Sequence, residues 1–115
     1  MVIHLHTLKA VVKSCSRELI EDESRVKSIL TEGVVQMGFT IYGYMSHKFD
    51  PYGLTCVLLI GESHVALHTF PEEKLVFLDI TSCKDFDSSI FLEALKERLE
   101  GESFKIVMNK MIEVR

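Results

Sequence analysis

A hydroxyl, an imidazole and a thiol at Ser63, His68 and Cys83 are the side chains best suited to covalent and proton-transfer chemistry, with Thr55 and Glu62 close by along the chain. A serine oxygen can attack a carbonyl, an imidazole can take up a proton near neutral pH, and a thiol can give one back. Ser63 and His68 fall within Gly61-Glu62-Ser63-His64-Val65-Ala66-Leu67-His68-Thr69-Phe70-Pro71-Glu72. On its own, a serine after glycine and glutamate reads as a tight turn. His64 and His68 would converge on a metal if the segment were helical. On a strand, four residues span about 13 Å, whereas zinc ligands sit about 2 Å from the ion, so no metal is expected. His4 and His6 share a strand face without a third ligand and read as exposed or packed.

The elements that must position these groups follow from the hydrophobic pattern. Val2 to Lys13 is apolar and β-branched, closes on Ser14-Cys15-Ser16, and reads as a strand. After Asp22, residues Val26, Ile29, Leu30, Val34 and Met37 recur at helical spacing, with Gly38 as a stop. Phe39 to Ser46 and Leu54 to Ile60 read as strands around a turn that contains Pro51 and Gly53. His64 to Phe70 and Leu75 to Ile80 follow as a further hairpin. Asp87-Ser88-Ser89 offers caps for a second amphipathic helix through Phe91, Leu92, Leu95 and Leu99, closed by Gly101, and Phe104 to Met108 reads as the last strand. The order β-α-β-β-β-β-α-β predicts an α+β fold, a two-layer sandwich with an antiparallel sheet and two helices on one face. The other face then needs cover from elsewhere.

Pairing the strands through their turns sets Ile60 opposite His64, Thr55 opposite Thr69 beside His68, and Ser63 opposite Thr81 near Cys83. Ser63 and Cys83 then share one end of the sheet, and Thr55 and His68 share the other. Five strand residues separate Ser63 from His68, about 16 Å, too far for one side chain to act on the other. A two-fold dimer through the sheet would bring each Ser63 and Cys83 against the Thr55 and His68 of a second copy.

Gly61 to Glu72, together with Tyr44-Met45-Ser46-His47-Lys48-Phe49, Pro51-Tyr52-Gly53 and Asp79 to Cys83, resembles the short bacterial and archaeal S-adenosylmethionine decarboxylase proenzymes. The likeness runs from Glu18 to about Leu99. It implies that the chain cuts itself between Glu62 and Ser63, leaving residues 1–62 and 63–115, and that Ser63 becomes a pyruvoyl group, the enzyme's own cofactor. In this scheme Ser63 attacks the Glu62 carbonyl, Thr55 helps hold the resulting oxyanion, and His68 removes the α-proton of Ser63. Cys83 returns a proton to the substrate α-carbon after decarboxylation. Phe49 and Phe70 would flank the adenine of S-adenosylmethionine, and Glu72 would accept hydrogen bonds from its ribose. The resemblance also implies a homodimer formed through the sheets, with active sites at the interface, and a product that serves as the aminopropyl donor of polyamine synthesis.

Some positions depart from the family pattern. Thr55 stands where serine is usual, Phe70 where tryptophan is usual, and Ser82-Cys83-Lys84 replaces Thr-Cys-Gly. The first strand lacks the usual Gly-x-His opening and its later acid, with Val11 near the acid's place. Two rivals therefore stand beside the main reading: a pyruvoyl-dependent decarboxylase of arginine or ornithine on the same scaffold, and a regulatory partner of an active paralogue.

Composition narrows the field further. With 115 residues, 47% of them hydrophobic, the chain suits one compact domain over 1–115 and is too short for two. Seventeen acidic against 13 basic residues give a net charge of −4 with no block of like charge, so no nucleic-acid or basic membrane surface is expected. The apolar run Cys56 to Ile60 is far below the roughly 20 residues of a spanning helix, and a cytoplasmic protein is expected. Cys15, Cys56 and Cys83 are odd in number and widely spaced, which points to reduced thiols.

Overall fold

A computed structural model describes residues 1–115. Its elements are β1 (Ile3–Lys13), α1 (Arg17–Ile20), α2 (Glu23–Gln36), β2 (Ile41–Lys48), β3 (Leu54–Ile60), β4 (Ser63–Phe70), β5 (Leu75–Ser82), α3 (Ser89–Arg98) and β6 (Ser103–Val114), with a 3-10 turn at Pro71–Glu73. The six strands form one antiparallel sheet in the order β2-β3-β4-β5-β1-β6. This is the α+β architecture expected from the element order.

Strand alternation divides the sheet into two faces. Leu8, Ala10 and Val12 of β1, Leu54, Cys56, Leu58 and Ile60 of β3, Val65 and Leu67 of β4, and Val76, Leu78 and Ile80 of β5 are buried in one cluster with the helices. α2 contributes Val26, Ile29, Leu30 and Val34 at i, i+3, i+4 and i+8, and α3 contributes Phe91, Leu92 and Leu95. The Asp22 carboxylate caps α2 by accepting from the Arg25 N–H at 3.2 Å, and Gly38, at φ +94°, takes the left-handed turn just past its end. α2 and α3 approach so closely that a Cβ added at Gly33 would overlap the Phe91 ring.

No helix covers the other face. Thr55, Val57 and Leu59 of β3, His64, Ala66 and His68 of β4, and Phe77, Asp79 and Thr81 of β5 point there by alternation, with Leu59 57% exposed.

The registers differ by one residue from the expected ones. Thr55 pairs with His68 rather than Thr69, Ile60 with Ser63, and His64 rather than Ser63 with Thr81. The cause is turn length. Only Gly61 and Glu62 form the β3–β4 turn, and Lys74, at φ 52°, joins the β4–β5 turn instead of pairing. This shift sets Thr55 and His68 on the same face, directly opposed.

Two further differences lie outside the site. The helix α1 is a single turn, too short for a periodic signal, held by Ser16 accepting from the Leu19 N–H. β6 runs six residues beyond Met108 to Val114 because it follows β1 as far as Ile3. It is an edge strand, exposed over nearly its whole length, so burial imposes no alternation on it.

Candidate active site

The five catalytic candidates fall into two hydrogen-bonded groups, a trio and a pair. At one end of the sheet, the Cys83 N–H donates to Ser63 Oγ at 3.3 Å, and Cys83 Sγ lies 3.2 Å from Glu62 Oε2. Cys83 thus contacts residues on both sides of the Glu62–Ser63 peptide bond. Glu62 and Ser63 are brought there by the two-residue turn, in which Glu62 has φ 56°. That conformation is uncommon without glycine; Ser14, Lys74 and Glu100 share it, so it is not peculiar to this site.

The Glu62 carboxylate controls the thiol. Its hydrogen bond to Sγ, with some desolvation and its negative charge, raises the Cys83 pKa above the ordinary cysteine value, while the Cys83 and Ser63 hydrogen bonds act weakly the other way. A thiol held in this way keeps its proton. Cys15 and Cys56 are raised by burial in the core, Cys15 to about 11, and are not near the trio.

At the other end, Thr55 Oγ1 lies 2.9 Å from His68 Nδ1. These two residues open into a cleft of about 330 Å³ lined by Phe49, Tyr52, Gly53, Thr69, Phe70 and Glu72 as well. All three residues singled out for nucleoside binding, Phe49, Phe70 and Glu72, therefore border the hydrogen-bonded pair. Phe49 and Phe70 are about half exposed, at 50% and 45%, and a core reading does not apply to them. Gly53, at φ +111°, folds the β2–β3 loop back so that the Phe49 N–H reaches the Gly53 carbonyl at 2.8 Å. Tyr52 and Thr69 also line this cleft; both fall within the motifs that carry the resemblance, but neither was singled out as a site residue. Tyr52 is stacked under the Arg17 guanidinium at 5.0 Å, and Thr69 Oγ1 accepts from the Leu54 N–H at 2.9 Å.

Within one chain the two groups remain apart, because Ser63 and His68 are five residues from each other along β4, about 16 Å. His64 belongs to neither group. His6, expected to be exposed or packed, is only 9% exposed, stacked on Phe86 with ring centroids 4.0 Å apart.

A small antiparallel sheet backed by helices on one face, with a serine in a hairpin turn touched by a thiol and an imidazole cleft at the far end, makes an α+β scaffold with nucleophilic and proton-transfer groups at both ends of its open face. The sequence profile of S-adenosylmethionine decarboxylase matches residues 6–110, and the chain belongs to that family. It is 39% identical over 101 residues to a protein of Archaeoglobus fulgidus named S-adenosylmethionine decarboxylase proenzyme, a match covering 84% of this chain and 89% of that one. A protein of Thermotoga maritima with the same name is 31% identical over 101 residues, covering 87% and 78%. Several other relatives match over only 53 to 60% of their own length. Among solved structures, the adenosylmethionine decarboxylase of Aquifex aeolicus superposes with a TM-score of 0.75 over 96% of this chain and 88% of that one; at 21% identity the likeness is one of fold. No helix here is long and apolar enough to cross a membrane.

Proposed function

We propose that the chain is a pyruvoyl-dependent S-adenosylmethionine decarboxylase that generates its cofactor by cutting the Glu62–Ser63 bond. The observation that carries this reading is the contact of Cys83 with Glu62 and Ser63 together, which sets a proton-bearing thiol beside the bond to be broken.

In the cutting reaction, Ser63 Oγ attacks the Glu62 carbonyl carbon, and the nitrogen of residue 63 leaves as the acyl group passes to oxygen. Removal of the Ser63 α-proton by His68 then expels Glu62 as a free carboxylate, and the resulting double bond hydrolyses with water to a ketone and ammonia. Ser63 is half-buried at the start of β4, with a backbone donor aimed at its side chain and the Cys83 thiol beside it, a setting that fits a small carbonyl group. Once formed, the pyruvoyl group supplies an electron-accepting carbonyl to the substrate amine and does the work of an external cofactor. Cys83 supplies the proton to the α-carbon, a task for a protonated thiol.

The two-copy arrangement belongs to the same proposal. Two open sheet faces, packed about a two-fold axis, would place the Ser63 and Cys83 of one copy against the Thr55, His68, Phe49, Phe70 and Glu72 of the other. S-adenosylmethionine is favoured over arginine or ornithine because the cleft beside His68 pairs two half-exposed aromatic rings with a carboxylate, which suits a nucleoside. Turnover assays with the three substrates separate the readings. Carbon dioxide release from S-adenosylmethionine alone is expected. Release only from a basic amino acid overturns the substrate, and release from none favours the regulatory partner.

A further inference from the structure

Cys83 has an anchor on its other side. Lys84 donates from Nζ to the Gly38 carbonyl at 2.7 Å and lies 4.8 Å from the centre of the Phe39 ring. Phe39 meets Phe86 edge-on at 5.9 Å, and Phe86 lies flat against His6, 4.0 Å away and inclined by 14°. His6 Nε2 is 2.6 Å from Asn109 Oδ1; an amide oxygen only accepts, so Nε2–H donates. His6 Nδ1 is buried with no hydrogen-bond partner, and the closest charge to it is the exposed Asp85 carboxylate at 4.0 Å. The result is a continuous column, Lys84–Phe39–Phe86–His6–Asn109, tied at both ends.

The column gains its meaning from where the chain would be cut. His6, Gly38 and Phe39 belong to residues 1–62, whereas Lys84, Phe86 and Asn109 belong to residues 63–115. The direct contacts of Cys83, to Glu62 and to Ser63 Oγ, are made to the two residues that the reaction alters, and that oxygen departs with Glu62. The column is untouched by the reaction. We propose that it is a non-covalent clamp across the cut, with His6 and Lys84 as positioning residues that hold the 83–86 segment, and with it the Cys83 thiol, in place after the chain is severed. This inference deepens the decarboxylase reading and rests on it for the role of the thiol.

The clamp is tested on the thiol itself. In the Ser63→Ala chain, which stays whole, the rate of Cys83 capture by iodoacetamide is followed against pH by peptide mass mapping, with Lys84→Met, Phe86→Leu or Lys84→Arg added. Glu62 is the charged group facing Sγ, and the Lys84 ammonium is directed to Gly38. Loss of a nearby cation by itself would raise the thiol pKa and slow capture. Release of the segment does the opposite, because Sγ leaves Glu62. We expect Lys84→Met and Phe86→Leu to speed capture at pH 8 about fivefold and to move the profile to lower pH, with Lys84→Arg within twofold of the parent. An unchanged or slowed profile in Lys84→Met overturns the clamp; that side chain is exposed, so the result stands even if Phe86→Leu fails to fold. The readout needs neither cutting nor turnover and so fails separately from the decarboxylase reading. In the cut enzyme, Lys84→Met should lower kcat about tenfold with KM within twofold, and a rise in KM alone contradicts a role through Cys83.

Discussion

His68 and Thr55 face each other across one rung of the β3–β4 ladder, with Nδ1 2.9 Å from Oγ1. When Nδ1 carries the proton and donates it to Thr55, the Nε2 lone pair is free to act as a base. The same bond leaves the Thr55 hydroxyl proton free for an oxyanion. One hydrogen bond therefore prepares both groups for the roles assigned to them.

Thr55→Val should slow self-cutting by roughly a hundredfold, the usual loss for one oxyanion donor, while Thr55→Ser should cut at nearly the parent rate. His68→Ala should stop at the ester, one step later. Hydroxylamine cleaves esters and spares amides, so it should release the two fragments from His68→Ala under conditions that leave Ser63→Ala whole. Gel analysis after hydroxylamine treatment distinguishes these outcomes.

If each site combines two copies, defects at its two ends should complement. Co-folding Ser63→Ala chains with His68→Ala chains gives mixed dimers in which an intact Ser63 meets an intact His68. About half of the His68→Ala chains should then be cut when the two are mixed equally. No cutting in the mixture, with dimers present by light scattering, would remove the interface from the account.

The Glu62 carboxylate raises the Cys83 pKa, so its removal should lower it. In the uncut Ser63→Ala background, Glu62→Gln should move the pH midpoint of Cys83 alkylation downward. An upward movement would mean that the carboxylate does not face the thiol.

The limits of β3 were legible to the residue because turn residues bracket it, and α2 was legible from its apolar spacing and the Asp22 cap. Registers were less so. They turn on whether Ser63 pairs or joins the β3–β4 turn, and on whether Lys74 pairs or adopts a left-handed conformation, choices made by the tertiary fold rather than by a serine or a lysine. The cleft around Thr55 and His68 was legible through the family resemblance, since Phe49 and Phe70 taken alone read as core. The His6 column was not legible at all: its members are joined by packing between residues as distant as His6 and Asn109.

Gly33 is placed by packing, not by helix preference. Alanine is better than glycine in a helix by about 1 kcal/mol, yet a Cβ at this position overlaps the Phe91 ring. Overpacking costs about 1–3 kcal/mol, and the rigid, buried ring places Gly33→Ala toward the upper end. Urea unfolding should show a net loss of about 1–2 kcal/mol; a gain in stability would contradict the close approach of α2 and α3.

Burial raises the Cys15 pKa from 9.0 to about 11. Between these values the unfolded chain ionises this thiol while the folded chain keeps it protonated, so the stabilisation is complete below pH 9 and is lost as pH rises through 11. The contribution is on the order of 2–3 kcal/mol. Cys15→Ala should flatten the decline in melting temperature over this window, and an unchanged slope would place the thiol outside the core.

The fragility of the Glu62–Ser63 linkage is tested most directly by the intact mass of the purified protein under denaturing conditions. The account predicts two polypeptides, residues 1–62 and 63–115, the second beginning with a ketone that reacts with hydrazides and has no free amine. A single polypeptide of 115 residues without a reactive carbonyl, under every condition of pH and incubation, contradicts it.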